Sequence, residues 1–286
     1  MRGLAEFVMR GRPQALLVGI IGASSLMFAW VSAAVVALVT LRKGTAEGAS
    51  LLAWLILPAG FLLALFGDPG PLGLILGTAA LAFMLRSMVA WQPVLLGAIG
   101  VGAVSGLLML WFAEPQLQMM VKMFEDFFAN LQADMPDGQQ LPAPGIVTLA
   151  GMLGLMNAVT CVLSLLLARY WQALLYNPGG FRDEFHALRL SPQVALLLAM
   201  LMLAVGLYGF EYRPWAVLFA VPLSVAGIAF IHARAAYRGL GIGWLSMFYV
   251  FWLVLDPVKM VVIAVAVADS LMNFRGRWQS QGGNKD

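Results

Sequence analysis

The chain has 286 residues, of which 62% are hydrophobic and 11% charged, against roughly 45–50% and about 25% in soluble domains. A soluble core cannot hide that much apolar surface, so most of it must meet lipid, and the lack of short alternating segments excludes a β-barrel. The net charge of +3 reports topology in such a chain rather than a nucleic-acid partner. The single cysteine, Cys161, excludes a disulfide framework or a cysteine metal cluster.

Apolar stretches fall at about 14–41, 49–66, 71–88, 91–112, 143–170, 193–210, 214–231, 239–255 and 257–272. Judged against a ~30 Å hydrocarbon core, they predict an all-α, polytopic transmembrane bundle of about 8–10 segments, some short or re-entrant. The N-terminal MRGLAEFVMRGRPQALLVGIIG imitates a signal peptide. Its apolar run continues to Leu41, however, and stops only at Arg42-Lys43, so it reads as a retained membrane segment. At 28 residues, 14–41 is long for one span and short for two.

Charge decides between these. A hairpin turning near Ser24-Ser25, with a cytoplasmic N-terminus, leaves only Lys122, Arg213 and Lys259 outside, so 17 less 3 puts 14 basic residues inside. One tilted span would move Arg2, Arg10 and Arg12 outside, giving 11 against 6. The positive-inside rule prefers the hairpin, with ten segments and both termini on the cytoplasmic side of a bacterial inner membrane.

Gly97, Gly100, Gly102 and Gly106 crowd one segment, and Gly151 and Gly154 another. Small residues let helices approach closely, so both sets read as packing seams. Residues 113–142 form an extracytoplasmic connection of charge −4, Lys122 against Glu114, Glu125, Asp126, Asp134 and Asp137. Within it Leu117, Met120, Phe124, Phe127 or Phe128 and Leu131 share one helical face. That predicts an amphipathic interfacial helix, serving as a tether or as a lid, followed by a breaker-rich loop over 136–145.

On 143–170, Asn157, Thr160, Cys161 and Ser164 recur at i, i+3, i+4 and i+7 and share a face. An unpaired amide in hydrocarbon is costly, so Asn157 must face protein or a wet cavity. Interhelical hydrogen bonding and a substrate-lining face built on Asn157, Thr160 and Ser164 are both open.

The most charge-mixed passage is ARYWQALLYNPGGFRDEFHALRLSP, with a cytoplasmic loop over 171–192. Arg169, Tyr170, Trp171 and Tyr176 suit the headgroup layer, and Asn177-Pro178-Gly179-Gly180 ends the helix. Phe181, Phe185 and Leu188 then predict a short surface helix, with Arg182, Asp183, Glu184 and Arg189 pointing away from its apolar face. Glu184 is placed to pair with Arg182 or Arg189. Partner docking or gating would therefore fall to Arg169, Trp171, Asn177, Arg182, Glu184 and Arg189.

Asp256-Pro257 reads as an N-cap and first-turn proline at a tight helical hairpin. Asp269, close to an apolar run, needs a cation, and Arg275 is the natural partner for a structural ion pair, with Arg86 the other within reach. His186 and His232 fall in separate polar connections and read as solvated or capping groups, with no metal site. Residues 274–286 form a cytoplasmic tail.

LVTLRKG, ARYWQALLYNPGGFRDEF and ADSLMNFRGR together resemble the YybS-like family of uncharacterised bacterial inner-membrane proteins. The family has no established activity to carry over. It is loosely similar to the substrate-capturing membrane subunits of energy-coupling-factor transporters, which rely on a separate ATPase. That resemblance implies a chain without its own phosphate loop, and GxxxxGK[ST], HExxH and GxSxG are indeed absent.

Two functions follow as expectations. One is a substrate-binding or permease-like subunit for a small amphipathic molecule, with no cofactor. The other is a non-catalytic scaffold that sits in the bilayer and docks a cytoplasmic or membrane partner protein through 168–192. A lipid-active enzyme ranks third, because no nucleophile or acid–base constellation is visible.

Overall fold

The computed structural model describes residues 2–133 and 142–282, with the side chains of 133 and 279–282 left aside. The described chain is all helix: α1 (Arg2–Arg10), α2 (Arg12–Ala23), α3 (Ala29–Lys43), α4 (Thr45–Phe66), α5 (Gly70–Met88), α6 (Trp91–Phe112), α7 (Glu114–Ala133), α8 (Ile146–Tyr176), α9 (Gly180–Ala187), α10 (Pro192–Tyr208), α11 (Arg213–Tyr237), α12 (Ile242–Val254), α13 (Asp256–Met272) and α14 (Phe274–Gly282), with a 3₁₀ turn at Phe210–Tyr212. It is a polytopic membrane bundle. Proline sets many of the starts: Pro13, Pro71, Pro192, Pro214 and Pro257 each sit in a first turn, where their missing N–H costs nothing. Gly67 at φ 66° ends α4 in the left-handed region that lacks a Cβ penalty.

Five helices are long and apolar enough to cross a bilayer: α4, α5, α6, α8 and α11 with its leading turn. The other apolar segments are shorter. α9 with α10 reaches span length only through a 68° bend, and α12 with α13 only through a 112° bend. The second bend is wider than a tight hairpin. Asp256 there is the first helical residue and not the N-cap, which is Leu255; the carboxylate instead takes a 2.7 Å hydrogen bond from Lys259.

The 14–41 stretch divides into the hairpin that the charge count predicts. α2 and α3 are separated at Ser24–Phe28 and fold back on each other, with Ser32 Oγ donating to the Gly19 carbonyl at 2.6 Å. Their 12 and 15 residues rise only about 18 and 22 Å. α3 is the axis of the bundle: Ala33 to Leu41 are all buried, packed among α2, α4, α5 and α8. A helix that is apolar all round belongs inside, and this one contacts protein on every side. α4 shows the opposite pattern. Leu51, Leu55, Ala59 and Leu62 face inward, while Trp54, Leu57, Phe61 and Leu65 form an exposed stripe suited to lipid.

Two helices lie outside the expected set. α1, which precedes the first apolar run, buries Ala5 and Val8 against the bundle. α14 forms where a tail was expected, and its Trp278 packs on Phe230 and Tyr237. α7 forms as its periodicity requires. Leu117, Met120, Val121 and Phe124 pack on Leu149, Leu153 and Trp215, while Met119, Met123 and Phe127 remain exposed. The following 134–141, most of the breaker-rich loop, lies outside the described residues.

The glycine seam is a contact between α6 and α8. A Cβ at Gly154 would lie 2.4 Å from the Gly102 carbonyl oxygen, and one at Gly106 2.9 Å from the Ala150 oxygen. Gly151 gives room to the Trp215 ring, whereas Gly97 faces Met84 and Gly100 faces open space.

Candidate functional site

The bundle has two chemically different ends. One gathers the side chains of Arg12, Arg86, Arg169, Glu184 and Arg275; the other gathers the α2–α3 tip, the α4–α5 turn and the α6–α7 junction. A cavity of about 680 Å³ opens at this second end. Its origin is the short hairpin: α2 and α3 stop below the level of their neighbours, and Leu26 and Trp30 at their tip form part of the wall.

The wall is apolar over most of its extent, with Leu63, Leu72, Leu108, Phe112, Leu153 and Met156 prominent. Asp68 and Gln116 bring polar atoms near the turns. Deeper, Asn157 Nδ2 donates to Ser105 Oγ at 2.7 Å, and both residues line the cavity. Asn157 lies about three turns from the start of α8, close to mid-bundle. Gly73 and Gly77 leave room for its amide; a Cβ at either would come within 3.6 or 3.9 Å of Nδ2.

The polar face of α8 is thus divided between two environments. Asn157 and Thr160 reach the cavity, with the Thr160 hydroxyl bonded to the Met156 carbonyl at 2.8 Å. Ser164, expected beside them, is buried in the core and does not line it. Cys161 is also buried, its thiol directed to the Leu74 carbonyl at 3.5 Å. The physical reason is depth along α8: residues 157 and 164 lie within about 20° of each other in azimuth, but Ser164 sits about 10 Å further along the axis. That is past Thr160, the last α8 residue at the cavity, while Cys161 turns to α5. Ser105, on another helix, gave no sequence signal beyond being a lone hydroxyl in an apolar run.

The arginine-rich end is tied by a continuous polar network. Arg169 grips Glu184 with two bonds, Nε to Oε1 at 3.2 Å and a terminal nitrogen to Oε2 at 2.5 Å. Trp91 Nε1 adds a bond to Glu184 at 2.6 Å. Arg169 also donates to Gln172, and Gln172 and Arg86 both donate to the Leu41 carbonyl, one of the unpaired acceptors at the end of α3. Gln92 accepts from the Ser191 N–H at 2.7 Å.

Several expectations for 168–192 change accordingly. Glu184 pairs with Arg169, not with Arg182 or Arg189, because it stands three residues after Phe181 on the inward face of α9. Trp171 is fully buried, the largest such side chain among the described residues, and faces neither lipid headgroups nor a docking surface. It shares a face with Ser164 and Ala168, both buried. Asn177 is exposed, and a Cβ at Gly180 would collide with its side chain. Of the candidates only Asn177, Arg182 and Arg189 present themselves to a partner. Replacing Glu184 by Gln is expected to cost about 2 kcal/mol, the worth of hydrogen bonds to a charged group. Thermal unfolding and loss of amide protection in α9 would measure it.

No protein-family model, characterised protein or solved structure matches this chain.

Asp269 is 1% exposed and its partner is Arg275, Nε to Oδ2 at 3.1 Å. The contact is not aligned as a hydrogen bond, and neither carboxylate oxygen has another donor among the described residues. Arg275 also donates to the backbone carbonyls of His186 and, at 3.4 Å, Ala226. Arg86 takes no part, being bound to Leu41. His232 belongs to the last turns of α11 and not to a connection, half-buried with its Nε2 2.8 Å from Tyr249 Oη. Among the described residues no three of His, Cys, Asp and Glu converge as metal ligands.

Proposed function

We propose that this protein is a substrate-binding or permease-like membrane subunit that holds a small amphipathic molecule in the cavity above the α2–α3 tip. The observation that carries this reading is the cavity's composition: an apolar wall with a hydrogen-bonding pair, Asn157–Ser105, at depth. Sites for small molecules are mostly apolar, with a few convergent polar groups that fix orientation. The Asn157 amide retains acceptor and donor capacity beyond its bond to Ser105, and a ligand hydroxyl or carbonyl would use it. The positive-inside rule puts the arginine-rich end in the cytoplasm of a bacterial inner membrane and the cavity mouth outside. With no phosphate loop in the chain, energy for movement would come from another subunit or a gradient. The YybS-like resemblance is consistent with this and adds no activity. A scaffold role through 168–192 is the second reading, favoured by exposed Arg182 and Arg189.

Cysteine accessibility tests the first reading. In intact cells, Thr160→Cys should react with a membrane-impermeant maleimide added outside, while the wild type should not, since its single cysteine is buried. Labelling of Thr160→Cys only from the cytoplasmic side would refute an outward opening. A molecule that co-elutes with the wild type should be lost from Leu153→Trp, which fills the cavity. Asn157→Leu should weaken its retention about fivefold, the net worth of one hydrogen bond.

A further inference from the structure

A second cavity lies at the arginine-rich end, about 580 Å³ in volume, between α9, the end of α11 and the α13–α14 corner. Arg189, Arg275, His186, Tyr237, Asn273 and Trp278 line it, and Asp183 is its one lining acid among the described residues. It is separate from the cavity proposed to bind substrate and shares no residue with it.

Three observations bear on what it would take. The first is uncompensated charge. Arg189 is exposed and has no ion pair among the described residues, and the same holds for Arg182 and Arg238, each next in sequence to a lining residue. Burial pushes the Arg275 guanidinium down from its ordinary value; Asp269 pulls it up, and the charge of Arg189 adds to the lowering.

The second observation is the aromatic wall. Tyr237 and Trp278 stack at 5.5 Å, and the Arg234 guanidinium lies 4.4 Å over the Trp278 ring. Tyrosine and tryptophan in this position are the side chains of a membrane–water interface. The third is the apolar collar beside the cavity. Leu240, Ile242, Leu271 and Met272, close in sequence to Tyr237 and Asn273, are all exposed and would lie against acyl chains.

We infer that this cavity is a binding site for the headgroup of an anionic phospholipid, with the phosphate between Arg189 and Arg275 and the acyl chains along the collar. Basic pockets between membrane helices at the negatively charged leaflet are the usual seat of such headgroups. Arginine presents planar paired donors that match phosphate oxygens. Soluble phosphate would use the same arginines but would have no use for the collar.

The test uses the full chain in detergent micelles, with dioleoyl phosphatidylglycerol and dioleoyl phosphatidylcholine supplied together and retained lipid counted by native mass spectrometry. The wild type should retain phosphatidylglycerol preferentially. Arg189→Gln should weaken that retention about fivefold, as expected for one basic group at a lipid surface, and Arg189→Lys should restore most of it. Melting of both variants without added lipid should match the wild type, showing that the fold is intact. Lys43→Gln, at the same end but outside the cavity, should leave retention unchanged.

Equal retention of the two lipids, or an equal loss in Lys43→Gln, would overturn the site. Displacement of phosphatidylglycerol by millimolar inorganic phosphate would reassign it to a soluble phosphate compound. Displacement by a poly-glutamate peptide would reassign it to an acidic protein segment. Either result overturns the lipid assignment.

Discussion

Arg275→Gln should destabilise the folded protein by about 3–5 kcal/mol, because it strands a buried carboxylate without its cation. Asp269 is 1% exposed, and its oxygens have no donor to fall back on among the described residues. The same substitution frees two backbone carbonyls, His186 on α9 and Ala226 on α11, that the guanidinium joins. The loss should therefore reach beyond α13 and loosen the packing of α9 on α11. Asp269→Asn combined with Arg275→Gln should recover more than half of the cost, since a neutral amide is far cheaper to bury than an unpaired charge. Thermal unfolding of the two single variants and the double variant in one detergent forms the required cycle. A double variant no more stable than Arg275→Gln would show that the carbonyl contacts, and not the buried carboxylate, carry the effect.

Gly154→Ala comes next in expected size, at about 1–3 kcal/mol, with Gly154→Val higher. The added Cβ would lie 2.4 Å from the Gly102 oxygen and 3.1 and 3.2 Å from backbone atoms of Gly106. No side chain can swing away to relieve a backbone collision, so α6 and α8 must separate. One turn along, the same two helices carry Ser105 and Asn157, whose 2.7 Å hydrogen bond spans the seam. The variant should accordingly lose bound ligand as well as stability. Gly100→Ala is the matched control: a Cβ there meets nothing within 4 Å, and its melting should stay at or slightly above wild type. Equal destabilisation by both substitutions would mean that glycine flexibility, and not close approach, matters on α6.

Residue types alone determined a good deal. The apolar runs dictated an all-helical bundle because a backbone in hydrocarbon must satisfy its own hydrogen bonds. The 28-residue length of the first run forced a choice that charge resolved toward a hairpin, and α2 and α3 are that hairpin. The Asp269–Arg275 pair was legible because a carboxylate in an apolar run has few affordable states. The seam at Gly102, Gly106, Gly151 and Gly154 was visible as spacing, although its partner helix was not.

Tertiary structure decided what spacing cannot. Periodicity puts Asn157, Thr160, Cys161 and Ser164 on one face, but a face two turns long, about 10 Å, can meet two environments, and here it runs from a cavity into a packed wall. Nothing local distinguishes Ser105, because its role comes from a partner 52 residues away. Glu184 chose Arg169 over nearer arginines because α9 folds back onto α8, and sequence distance does not measure that. Trp171 has the composition of an interfacial anchor and the position of a core residue. In a bilayer both the lipid-facing and the protein-facing sides of a helix are apolar, so hydrophobicity cannot say which side is which; only the packing of neighbours around α3 does.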